Sequence, residues 1–256
     1  MKKIAIMNQK GGTAKTTTTV NLAAAFAEQG KRVLVLDLDP QANTSSWFGT
    51  KDSEGTLYDV FVNNGNLESI VVNTDIANVD VIPSSPWMVA VERALFQTDE
   101  SEARLKNLLS SLPNKWDLLL IDCPPTLGFL SLSALVACQN VLVPVQTQVM
   151  PLEGLAHLLE TIEHIKERLN PSLRLFAILP SLVDSRTNLS KEVLQSLRER
   201  FPDVVLQSII RSNIRIAEAY SFSKPITLYD PNGSGAQDYR AAAKELLVKL
   251  ERTSHE

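Results

Sequence analysis

Lys10-Gly11-Gly12-Thr13-Ala14-Lys15-Thr16-Thr17 lies between a short apolar run, Ile4–Met7, and a helix-patterned segment running from about Lys15 to Gln29. Strand, glycine-bearing loop and helix in that order make an anion site. Gly11 and Gly12 let backbone N–H groups approach a ligand closely, and the start of a helix adds its positive dipole end. Lys15 places a full charge at that helix start, and Thr16 places a hydroxyl beside it. Val20, Ala23, Ala24 and Ala27 fall at i, i+3, i+4 and i+7, which gives the helix one apolar face of small residues. Gly30 suits the left-handed position after the helix end. Val33–Leu38 is the next strand, so the first ~35 residues read as a βαβ unit with a parallel pair.

Working outward, further strands are expected at Val79–Ile82, Leu118–Ile121, Val141–Val145, Leu173–Leu179 and Val204–Leu206. Their continuous apolar character suits strands buried on both faces. Helices are expected at 100–111, 128–138, 152–169, 188–200 and 236–252. The 152–169 segment carries Leu152, Leu155, Leu158, Leu159, Ile162, Ile165 and Leu169 as one stripe. Alternating strands and helices predict one α/β domain over 1–256, a single doubly wound, mostly parallel sheet flanked by helices. Residues 49–78 read as surface turns and short helices.

The loop suits the phosphates of ATP, with Thr16 available to Mg²⁺. It departs from the pattern G-x-x-x-x-G-K-[ST], because Gln9 and Ala14 occupy the two glycine positions. Two further features support the nucleotide. Strand Val33–Leu38 runs into Asp37-Leu38-Asp39-Pro40-Gln41, where alternation predicts Asp37 and Asp39 on one face at the carboxyl end of the sheet. Leu118-Leu119-Leu120-Ile121 ends in Asp122, followed by Cys123-Pro124-Pro125. A hydrophobic strand ending in a carboxylate is how a second acid reaches Mg²⁺. Thr18 and Thr19 read as indifferent first-turn positions.

These segments resemble the ParA/MinD group of ATPases. Lys10 to Thr17 match the deviant Walker A motif K-G-G-x-x-K-[ST]; Asp37 to Gln41 resemble the A′ motif, and Leu120 to Pro125 the Walker B motif. Asp184-Ser185-Arg186-Thr187-Asn188-Leu189, Asn213-Ile214-Arg215 with Glu218-Ala219, and Ser223-Lys224-Pro225-Ile226 agree with the short, Soj-like ParA proteins over essentially the whole chain. The resemblance implies that Lys10, Gly11, Gly12, Thr13, Ala14, Lys15, Thr16 and Thr17 bind ATP, with Lys15 on the β- and γ-phosphates. It implies that Lys10 reaches the nucleotide of a partner subunit in an ATP-bound homodimer. Thr16, Asp37 and Asp122 would serve the metal, and Asp39 would orient or activate the attacking water. It also implies non-specific DNA binding by the dimer and a ParB-like partner that stimulates hydrolysis, or a cargo adaptor in relatives that position protein assemblies. Tyr220 departs from the proline common after Glu-Ala, and Thr147-Gln148-Val149-Met150-Pro151 from a more acidic, aromatic stretch. The chain opens at its first strand, so no separate N-terminal DNA-binding domain is expected.

Composition is that of an ordinary globular protein, 44% hydrophobic and 21% charged over 256 residues. Net charge is −4, which argues against a wholly basic nucleic-acid binder. Residues 186–224 nevertheless hold seven basic and four acidic residues. Arg186, Arg215 and Lys224 are the candidate contacts to DNA phosphates, helped by two-fold symmetry. No run approaches the ~20 apolar residues of a membrane span, and no signal peptide is expected. The C-terminal tail balances Lys244, Lys249 and Arg252 with Glu245 and Glu251 and lacks an aromatic anchor, so docking on the core is expected rather than a MinD-like membrane contact. The two cysteines, Cys123 and Cys138, suit a reducing cytoplasm, with nucleoid association following from DNA binding. They do not form the paired set of a nitrogenase-type iron protein. His157, Glu160 and His164 share a helical stripe, read as a solvated face in preference to a metal site. No Gly-x-Ser-x-Gly elbow is present.

Overall fold

A computed structural model describes residues 1–50, 56–95, 101–147 and 152–252. Outside these lie residues 51–55 of the turn-rich region, residue 100 at the expected start of a helix, and the divergent stretch Gln148 to Pro151. The strands are β1 (Lys2–Ile6), β2 (Val33–Asp37), β3 (Val72–Asn73), β4 (Val79–Ile82), β5 (Leu118–Asp122), β6 (Asn140–Gln146) and β7 (Arg174–Ser181). They form one sheet in the order β3-β4-β2-β5-β1-β6-β7, in which only β3 runs antiparallel to its neighbour. The helices are α1 (Lys15–Glu28), α2 (Asn43–Trp47), α3 (Leu57–Asn63), α4 (Val91–Leu95), α5 (Arg104–Ser110), α6 (Phe129–Ala137), α7 (Leu152–Arg168), α8 (Asn188–Arg200), α9 (Ile214–Ser221), α10 (Ile226–Tyr229) and α11 (Ser234–Arg252).

Side-chain alternation divides the core into two layers. Ile4, Ile6, Val33, Val35, Leu118 and Leu120 face α1 and α11. Ala5, Leu34, Leu36, Leu119, Ile121 and Val143 face the opposite layer, where α3 to α8 pack. This is the doubly wound arrangement expected of continuous apolar strands. Helix α1 is buried on nearly all sides, because its alanines admit the sheet on one flank and α11 on the other. Helix α11 places Tyr239, Ala242, Ala243 and Leu246 in that layer, all fully buried. Its apolar face is therefore spent on the core. Among the described residues no helix is long and apolar enough to cross a membrane.

Three local expectations change. Val204–Leu206 is not a strand: it meets the edge strand β7 at one bridge, Val205 to Ile178, so three apolar residues after Pro202 do not continue the ladder. Thr18 and Thr19 are not indifferent, since both are fully buried, and Thr19 Oγ1 donates back to the Lys15 carbonyl at 3.0 Å. Leu169 lies past the end of α7 and is exposed rather than part of the buried stripe.

Candidate nucleotide site

Strands β1, β2 and β5 end side by side. Asp122 stands in register with Ile6 on one side and Asp37 on the other. The carboxyl ends of parallel strands thus bring the first loop, the Asp37–Gln41 turn and Asp122 together, as the crevice rule for such sheets requires.

The first loop is held open by its own backbone. Asn8 Oδ1 accepts the Lys10 N–H at 3.0 Å while Asn8 Nδ2 donates to the Pro144 carbonyl at 2.8 Å. Thr13 Oγ1 donates to the Lys10 carbonyl at 3.1 Å. Gly12 has φ +75° and Ala14 φ +64°. At Ala14 that left-handed conformation strains an L side chain, and it launches α1 toward the cleft. Lys15 is buried. Burial lowers its ammonium pKa, opposed first by Asp122 and then by Asp39. Lys10 is exposed.

Asp122 is the hub. Thr16 Oγ1 and Thr44 Oγ1 both donate to its Oδ2, each at 2.7 Å. Its Oδ1 is buried with no hydrogen-bond partner among the described residues. Burial raises its pKa to about 6 against the two hydroxyls and Lys15. A threonine hydroxyl beside a buried carboxylate with one unsatisfied oxygen is a hard oxygen donor set, and it fits Mg²⁺.

Asp37 and Asp39 part company. The strand stops at Asp37, so alternation no longer governs Asp39. Asp37 is fully buried; its Oδ1 accepts the Asp39 N–H at 3.1 Å, and its Oδ2 accepts the N–H and hydroxyl of Ser45 at 2.8 and 2.7 Å. Burial and then Asp122 push its pKa up, against those donors. Asp37 therefore braces the turn beneath the site; like Asp122 it is buried, and all the donors found on it come from Asp39 and Ser45. Asp39 lines the cleft, its Oδ1 capped by the Gln41 N–H at 3.0 Å.

The cleft itself measures about 620 Å³ and runs from Gly11–Thr17 and Asp39 to a far wall of Leu182, Ile210, Ile216, Ala217 and Tyr220. Thr44, Ser45 and most of those wall residues belong to none of the nucleotide motifs; the cleft draws on several segments far apart in the chain. A second cavity of about 530 Å³, lined by Leu95, Leu132, His164 and Ile165 among others, contains none of the motif residues.

The basic candidates lie elsewhere on the surface. Arg186 pairs with Asp184 at 2.7 Å, and Arg215 with Glu218 at 3.2 Å. Lys224 is exposed. Arg211, also in the basic stretch, is bound inward to Asp238 at 2.6 Å. His157 and Glu160 form only an exposed 3.7 Å pair. Among the described residues no group of three His, Cys, Asp or Glu could hold a metal. Both cysteines are buried and free.

Comparison with known proteins gives the family. An AAA domain family model matches residues 1–175. The sporulation initiation inhibitor protein Soj of Bacillus subtilis is 42% identical over 249 residues, covering 96% of this chain and 98% of the relative. The chain belongs to the ParA/MinD family of ATPases, and is of the Soj type. The chromosome partitioning protein ParA of Myxococcus xanthus is 40% identical, covering 96% of this chain and 88% of its own. Among solved structures, cobyrinic acid a,c-diamide synthase from Mycobacterium smegmatis, with bound ATP analogue and magnesium, superposes with a TM-score of 0.86 at 32% identity, over 98% of this chain and 96% of that one.

Proposed function

We propose that this ATPase binds ATP and Mg²⁺ in the cleft, dimerises in that state, holds DNA non-specifically and hydrolyses ATP on contact with a ParB-like partner, so segregating DNA. The observation that carries the reading is the pair of threonine hydroxyls on one Asp122 oxygen, with the other oxygen buried and unpaired. Lys15 and the loop N–H groups hold the phosphates and offset their charge. Thr16 and Asp122 hold Mg²⁺, which supplies further charge neutralisation when bound. Asp39, on the cleft wall, orients the attacking water. Lys10, which is exposed, reaches a second subunit. Catalysis is then positioning and electrostatics, with no covalent intermediate.

The partition role draws on the relative named for it, the chromosome partitioning protein ParA of Myxococcus xanthus, at 40% identity. The amide-forming activity named for the mycobacterial structure belongs to a less similar protein, at 32%. The test uses Asp39→Ala with MgATP. Hydrolysis is expected to fall by about 100-fold or more, the scale of losing a positioned base. Binding persists, and a dimer accumulates that retains duplex DNA on a filter. Normal hydrolysis by Asp39→Ala, or a dimer that ignores DNA, would reject the assignment.

A further inference from the structure

Helix α2 is only five residues long, yet its two ends touch different parts of the molecule. At its start, Thr44 shares Asp122 Oδ2 with Thr16, and Ser45 holds Asp37. At its end, Trp47 is 3% exposed. Its Nε1–H donates to the Lys224 carbonyl at 2.9 Å. Its ring meets Tyr220 edge-on, with centroids 5.0 Å apart and planes at 77°.

The strap around Lys224 has a second anchor. Asn21 of α1 accepts the Ile226 N–H at 2.6 Å and donates to the Thr17 carbonyl at 2.7 Å. The strap is thus gripped on both sides by helices that begin in the nucleotide site. Just before the grips the backbone turns through Ser223 at φ +51°, and Phe222 stays exposed, stacked on Tyr229 at 5.2 Å.

We propose that α2 transmits nucleotide occupancy to this strap, with Trp47 as the positioning residue. Thr16 and Thr44 share one carboxylate oxygen. Any ligand that draws the Thr16 hydroxyl away leaves Thr44 as the sole donor to Oδ2 and resets the start of α2. A single helical turn, about 5 Å long, has no room to bend, so the change arrives at Trp47 and passes to the Lys224 carbonyl. The coupling is a difference in free energy between two arrangements of one rigid element. The proposal takes MgATP binding from the function above. Its DNA consequence also takes Lys224 and Arg215 as DNA contacts.

Hydrogen–deuterium exchange on the full chain tests the link without DNA. Saturating MgATP is expected to slow amide exchange across residues 221–229 by roughly tenfold, within the usual range of site-to-site coupling. Trp47→Phe keeps an aromatic ring but removes the N–H donor, and should abolish that response. A wild-type strap that ignores MgATP, or an unchanged response in Trp47→Phe, overturns the proposal. Saturating nucleotide removes any contribution from altered affinity. In a second arm, DNA affinity with MgATP over that without it should fall about tenfold in Trp47→Phe. If wild type shows the exchange response and no DNA binding, the DNA reading fails while the link stands.

Discussion

The first loop and the basic stretch 186–224 both present cations, and they hold them in opposite ways. Lys15 is buried, its loop stiffened by Asn8, Thr13 and two left-handed residues. Arg186 and Arg215 are exposed and rest on their own near neighbours, Asp184 and Glu218. A buried cation among preset donors loses little on meeting phosphate. An exposed pair is worth little in water, so it exchanges one anion for another at small cost. On the proposed reading the inner site holds one ligand in one pose, and the outer surface meets any polyanion.

The hardest blow to the inner side is Lys15→Ala. ATP affinity is expected to fall roughly hundredfold, matching the loss of about 3 kcal/mol of charge-assisted bonding; retained affinity by equilibrium dialysis would contradict the assignment. On the outer side, Lys224→Ala should weaken DNA binding across all sequences and lower the salt slope by about 1 per chain. A slope equal to wild type would remove Lys224 from the interface.

A third prediction concerns pH. Burial raises the Asp122 pKa to about 6, above the unfolded range near ~4. The folded chain therefore holds a proton that the unfolded chain releases. This contribution is complete below about pH 4 and is lost as pH rises through about 6. Free of metal and nucleotide, the protein should melt lower at pH 7.5 than at pH 5, by roughly 5 °C from Asp122; Asp37, raised as well, adds in the same direction, so Asp122→Asn should shrink that difference. Calorimetry showing the same slope in both would refute the hub. The smallest effect is Ala14→Gly, which relieves the left-handed alanine and should stabilise by up to about 1 kcal/mol. A lower melting temperature would mean that Ala14 makes contacts worth more than its strain.

Much of the site was legible because a βαβ unit is local. Within 40 residues the chain spells strand, loop, helix and strand, and strand ends point at one crevice. Asp39 and Asp122 could be chosen as strand-end acids by the same logic. Asp37 could not be separated from Asp39, because alternation predicts a shared face only while the strand lasts, and it stops at Asp37. Val204–Leu206 has strand composition but only one bridging residue; composition cannot report how much edge is available. Helices α2, α9 and α10 are four to eight residues long, too short to show a period. Trp47 and Tyr220, 173 positions apart, therefore gave no sign of meeting.

By itself the sequence determined the fold class, the phosphate loop and the acids that end its strands, since each depends on residues close along the chain. Only the tertiary structure decided that Asp122 takes two hydroxyls on one oxygen and leaves the other buried and unpaired. It alone set the far wall of the cleft and the grip of Trp47 on Lys224. Those contacts join segments separated by 28 to 177 positions, and their geometry comes from packing helices on a sheet, which no local pattern encodes.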